Sequence, residues 1–174
     1  MEVAQVTGKQ LGMLAAGGSA VLLLAAVVFQ ALGYAPCAMC IWQRYPHGVA
    51  IAAGALLAVG LSPIGLMVVG ASAAATTSAI GVYHTGVERD WWQGPTSCTG
   101  SGLDLSNLSG ADLLPSASSG PSTLVMCDEV AWEFLTLSMA SWNALWSAAL
   151  VGLWLLAFAR ERHSLQAQIT YSAT

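Results

Sequence analysis

The sequence predicts an all-α membrane protein: a four-helix transmembrane bundle with one long outward-facing loop between its third and fourth helices. Three observations predict it. Of 174 residues, 56% are hydrophobic and only 8% are charged, against about 25% in an ordinary soluble domain. Four stretches contain no Asp, Glu, Lys or Arg: Leu11–Leu32, Tyr45–Leu61, Ile64–Tyr83 and Leu137–Ala159. Each lies in the range of about 17 to 25 residues that crosses a bilayer as a helix. The polar residues and all four cysteines collect in the connections between those stretches, about 33–44 and 84–136. One integral membrane domain, residues 1–174, accounts for the length, and no nucleic-acid partner is expected.

The first stretch follows Lys9 and precedes the small residues Gly33 and Ala35. A cleaved signal peptide would look similar, but its apolar region is about 7 to 15 residues long; this run is longer and is read as a retained span. The second stretch begins within or just after PCAMCIWQRYPH, Pro36 to His47. Gly60 suits the end of that helix and Pro63 the start of the next, so spans two and three form a tight hairpin. The third contains GASAAATTSAIG, Gly70 to Gly81, whose small side chains let helices approach closely.

The connection from His84 to Thr136 holds Glu88, Asp90, Asp104, Asp112, Asp128, Glu129 and Glu133 against Arg89 alone. Its tracts TGSGLDLSNLSG and PSASSGPS have too little apolar surface to offset ordering entropy, so mobility is expected there. Leu105, Leu108, Leu113 and Leu114 suggest a short interfacial segment within it. Lys9 before the first span and Arg160 and Arg162 after the last place both termini on the cytoplasmic side by the positive-inside rule. The cysteines then face outward, where disulfides persist. Trp42, Trp91, Trp92, Trp132 and Trp142 fall near span ends or in the outer loop, as interfacial indoles do.

PCAMCIWQRYPH carries the chemistry. A helix starting near Cys37 sets its positive dipole end against Cys40, which lowers a thiol pKa and favours the reactive thiolate. Arg44, four residues on, shares that face one turn deeper. A fixed charge at the bilayer edge is costly unless it is used or snorkels to water; here it is placed to stabilise a thiolate or to polarise the oxygen of an electron acceptor. Cys98 and Cys127 form a second pair in the loop. A structural staple is one reading. Beside a Cys-x-x-Cys, two dithiol pairs on one membrane face form a relay by thiol–disulfide exchange. Oxidising a dithiol releases two electrons and two protons, the stoichiometry of reducing a quinone, ubiquinone or menaquinone. Haem is not expected, since no histidine is read as lying within a span to ligate it. His84, at the outer end of the third span, sits at the depth of Arg44 and can hydrogen-bond a quinone oxygen.

At this point the chain resembles the disulfide bond formation protein B (DsbB) family of the bacterial inner membrane, over nearly its whole length. The resemblance rests on CAMCIWQR (Cys37 to Arg44) as C-x-x-C-x-x-x-R, YHT at Tyr83 to Thr85, the later pair Cys98 and Cys127, and CDEVAWEFLTLSMASW leading into the last span. It implies a quinone-dependent enzyme that reoxidises a soluble periplasmic thioredoxin-fold thiol oxidase, DsbA or similar. It also implies roles: Cys98 meets that partner, Cys127 closes or reopens the loop disulfide, Cys37 exchanges with Cys127, and Cys40 faces the quinone beside Arg44 and His84. The loop departs from the family in its Gly and Ser content and in Pro115 and Pro121.

Other classes fit less well. The vitamin K epoxide reductase family also uses four helices, two cysteine pairs and a quinone, but its loop pair precedes the Cys-x-x-Cys. Zinc on Cys37, Cys40, His47 and His84 would leave Cys98 and Cys127 without a role, so no metal is expected. A structural tetraspan protein has no need of Arg44 beside a thiol.

Overall fold

The computed structural model describes residues 6–95 and 126–172. The elements in chain order are α1 (Gly8–Ala31), α2 (Ala38–Ala58), α3 (Pro63–Glu88), a two-stranded antiparallel hairpin of β1 (Glu133–Phe134) and β2 (Leu137–Ser138), and α4 (Met139–Ser172). Cys98, the expected interfacial leucines and the Gly/Ser/Pro tracts lie outside the described residues.

Local sequence sets the helix ends. Thr7 caps α1 with a capping box, its hydroxyl accepting from the Gln10 amide while the Gln10 side chain returns to the Thr7 N–H. Pro63 opens α3 without a side-chain cap. The turn before it passes through Gly60 at φ 88°, a left-handed conformation that costs glycine nothing. The β1–β2 turn is different, since Leu135 and Thr136 hold φ of 52° and 63°, which is strained for residues with a Cβ. Two bonds hold it there: Arg89 donates to the Thr136 carbonyl at 2.7 Å and the Trp142 indole to the Phe134 carbonyl at 3.1 Å.

The helices pack in cyclic order, α1 against α2, α2 against α3, α3 against α4 and α4 back against α1. Trp154 is wholly buried at the centre with Leu11, Ala15, Leu57, Met67 and Ala157. The small-residue stripe of α3 does what the sequence predicts: Gly70 lies so close to Trp154 that a Cβ there would sit 2.5 Å from the indole, and Gly81 abuts Ala140 and Ala144. Leu14, Val21, Leu24, Leu145 and Leu155 point outward, the pattern of a chain whose solvent is lipid.

Among the described residues three helices, α1, α3 and α4, are long and apolar enough to cross a membrane, and the chain is a multi-pass membrane protein. The second predicted span is not among them, because α2 starts at Ala38 and carries Gln43, Arg44 and His47. Two boundaries also differ from expectation. α3 runs five residues beyond Tyr83, to Glu88, since His84, Gly86 and Val87 are buried rather than looped out. α4 continues past Ala159 to Ser172, so the polar tail is helical and its 34 residues span about 51 Å, well beyond a hydrocarbon core of about 30 Å. Arg160 donates to the Val6 carbonyl at 2.8 Å, which brings the start of α1 and the basic stretch of α4 to one end. The described cysteines, Cys37, Cys40 and Cys127, occupy the other.

Candidate functional site

Cys37 is the residue that starts α2. Its extended backbone and its sulfur cap the helix, the sulfur accepting from the Cys40 N–H at 3.3 Å. One helical turn then brings the Cys40 sulfur to 3.2 Å from that of Cys37, a dithiol contact, well outside an S–S bond of about 2.05 Å. The two thiols are unlike. Cys37 is buried, while Cys40 is part-exposed. The Cys37 thiol's hydrogen bond lowers Cys40 to about 7, with Arg44 pushing the same way against burial and the Glu88 charge. The same bond, with burial, raises Cys37. Cys40 is therefore the thiolate of the pair, as its place at a helix start suggests.

The long-range assembly is what spacing alone cannot reveal. Cys127, wholly buried, packs with Cys37, Met39 and Val87, and its sulfur, the Cys37 sulfur and a ring nitrogen of His84 all lie within 4.8 Å of one another. His84 Nε2 is 3.5 Å from the Cys37 sulfur, and the Cys127 backbone hydrogen-bonds the same ring. Among the described residues the donor group that could hold a metal is thus Cys37, His84 and Cys127, not the four-residue set considered from sequence, because His47 is engaged elsewhere.

Arg44 donates to Gln30 of α1 at 2.7 Å. It lines a cavity of about 440 Å³ together with Cys40 and His84. Leu22 and Phe29 of α1 and Trp142 and Trp146 of α4 form much of the apolar wall. The volume falls within the range of about 300–1,000 Å³ typical of small-molecule sites.

Several site residues escaped the sequence reading. His47, in α2, is 3% exposed, and its Nε2 meets Asn143 at 2.9 Å and Thr77 at 3.3 Å. His84 lies within α3, one of the helices long and apolar enough to span, correcting the expectation that no histidine sits within a span. Gln43 links to His84 at 2.9 Å and to Asn143 at 2.7 Å. Glu88 lies 3.9 Å from His84 and accepts a hydrogen bond from Ser138. Their signal was available: a polar side chain inside an apolar stretch is costly and so is usually functional or paired. Trp92 also has a structural place, stacked on Tyr83, bonded to the Tyr83 carbonyl at 2.8 Å and pressed onto Gly86.

Apolar spanning helices that gather three thiols at one end define a membrane thiol oxidoreductase. The family model for disulfide bond formation protein DsbB matches residues 8–157, and the chain belongs to that family, whose role is disulfide bond formation. A curated relative, disulfide bond formation protein B of Aromatoleum aromaticum (strain DSM 19018 / LMG 30748 / EbN1), is 38% identical over 119 residues, covering 65% of this chain and 69% of the relative. No solved structure gives a significant match.

Proposed function

We propose that this protein oxidises a soluble periplasmic thioredoxin-fold dithiol protein, DsbA-like, and passes the electron pair to a membrane quinone. The observation that carries this reading is the approach of the Cys127 and Cys37 sulfurs to within 4.8 Å. A loop cysteine that only stapled the loop would have no reason to lie buried against the first thiol of a Cys-x-x-Cys.

The steps are thiolate exchanges. The partner's thiolate attacks Cys98 of a Cys98–Cys127 disulfide and expels Cys127 as a thiolate. Cys127 attacks Cys37, the Cys37–Cys40 bond breaks, and Cys40 leaves with the electron pair. Cys40 lies in the first turn of α2, where the helix N-terminus favours the departing thiolate. Cys40 opens onto the cavity, where the apolar wall suits a quinone ring, Arg44 would hold one of its oxygens and His84 lines the wall beside it. When bound, the quinone supplies a two-electron, two-proton sink. The four helices are read as one transmembrane bundle in a bacterial inner membrane, with α2 completing it, the termini cytoplasmic and the long loop between α3 and α4 periplasmic.

The test is anaerobic mixing of a reduced thioredoxin-fold dithiol protein, the purified chain and a water-soluble quinone. Quinol should form in step with oxidation of the dithiol, one for one, and should depend on the membrane protein. Dithiol oxidation without quinol would overturn the assignment.

A further inference from the structure

Behind the thiols, five side chains form one hydrogen-bonded chain through the interior: His84, Gln43, Asn143, Thr77 and His47. Two backbone carbonyls, which can only accept, fix its polarity. The Met39 carbonyl lies 3.2 Å from one end of the Gln43 amide, so that end is the NH2 group, and an amide flip would set oxygen against oxygen. The same nitrogen lies 2.9 Å from His84 Nδ1 and gives it the second hydrogen. His84 Nδ1 is therefore a filled lone pair, and the ring proton of the neutral imidazole sits on Nε2.

The far end agrees. The Gln43 carbonyl, 3.0 Å from the Thr77 hydroxyl, makes Thr77 a donor there, leaving the Thr77 oxygen to accept from Asn143 Nδ2 at 3.2 Å. That nitrogen also donates to Gln43 Oε1 at 2.7 Å, and Asn143 Oδ1 is left to accept from His47 Nε2 at 2.9 Å. Every member has one consistent orientation.

We propose that Gln43 is a positioning residue that holds His84 as its Nε2–H tautomer, so that the ring serves the exchanging sulfurs as a hydrogen-bond donor and not as a base. This deepens the relay reading and rests on it. Nε2 is 3.5 Å from the Cys37 sulfur, and a ring nitrogen lies within 4.8 Å of that of Cys127. The chemistry asks for a donor. Cys127 is expelled from the loop disulfide already as a thiolate, forms its bond to Cys37, and the pair in the Cys37–Cys40 bond leaves on Cys40. No proton moves in that step, while negative charge spreads over sulfurs held out of water, where a fixed N–H counts for more than it would in solvent. The Cys127 backbone, which hydrogen-bonds the same ring, and Glu88, 3.9 Å from Nε2, are the groups placed to share that N–H with the sulfurs.

The test has two arms. First, ¹⁵N-histidine labelling of the full chain, reduced and free of quinone and partner, reads the tautomer of each ring by NMR. His84 should be Nε2–H, and in Gln43→Glu, whose carboxylate can only accept, the proton should move to Nδ1. Second, formation of the Cys37–Cys127 disulfide is followed by quenched peptide mapping after a pulse of a reduced thioredoxin-fold protein. Gln43→Glu and His84→Leu should each slow it at least tenfold, whereas His84→Gln, whose amide supplies a donor but no base, should stay within about threefold of the unmodified protein. A wild-type His84 carrying its proton on Nδ1, or His84→Gln as slow as His84→Leu, overturns the inference. Exchange that is equally fast in all variants overturns the inference alone. No exchange in the unmodified protein sinks the relay as well.

Discussion

Removing the hydrogen bond that Cys37 gives to Cys40 should cost Cys40 its thiolate at mildly acid pH. That bond, spanning 3.2 Å between the sulfurs, is the main influence lowering Cys40 to about 7. Burial opposes it, so in Cys37→Ala the titration should move up toward the ordinary thiol value of about 8.5. At pH 6 a thiol of pKa 7 is about 9% thiolate and one of 8.5 about 0.3%, roughly a 30-fold difference. A more basic thiolate is also more nucleophilic, with a Brønsted slope of about 0.4–0.5, which returns about fivefold. The net expectation is a drop of about sixfold in alkylation rate at pH 6, gone by about pH 8 and turned into a gain of about fourfold at pH 9. Iodoacetamide labelling between pH 5 and 9 would measure it, on reduced protein with Cys98 and Cys127 replaced by Ser and the label placed by fragment mass spectrometry. A midpoint for Cys40 that stays where it was in Cys37→Ala, or an original midpoint at the ordinary thiol value, would refute the reasoning.

Arg44→Ala should raise the quinone KM about tenfold while leaving Cys127-to-Cys37 exchange within about twofold, because Arg44 lines the cavity and bonds Gln30 on α1. Slowed exchange with an unchanged KM would contradict this placement. Gly70→Val should destabilise the protein by about 1–3 kcal/mol through overpacking, since a Cβ there lies 2.5 Å from the Trp154 ring; an unfolding midpoint in detergent equal to that of the unmodified protein would show the packing to be looser than described.

The apolar runs made the helices legible, because lipid-facing residues such as Val21 and Leu24 leave no periodic polar face to confuse the count. Glycine spacing in α3 likewise announced the close contact that Trp154 fills. The Cys-x-x-Cys with Arg44 was legible as chemistry since its members share one helical turn. The meeting of Cys127 with Cys37 was implied only by the family resemblance, being a contact across 90 residues that no local rule encodes. Gln43, Thr77 and Asn143 went unread for a similar reason. Each looks like a tolerated polar residue in its own stretch, and only the packing of α2, α3 and α4 joins them. Cys40, Gln43 and His47 do recur at helical spacing on one face of α2, and that period, applied to polar residues, would have pointed to the buried chain. Glu88 was assigned to the loop because it is charged; its bond to Ser138 is what lets α3 continue through it.

The central claim is that Cys127 delivers electrons to Cys37, and the Cys40→Ser variant tests it most directly. Without Cys40 the short-range pair cannot close, and the two sulfurs that already lie within 4.8 Å should be caught joined. Non-reducing peptide mapping of that variant, coexpressed with a thioredoxin-fold dithiol partner, should find a Cys37–Cys127 disulfide in part of the population, with Cys98 free or joined to the partner. Cys98–Cys127 intact throughout, with Cys37 always a thiol, would contradict the account.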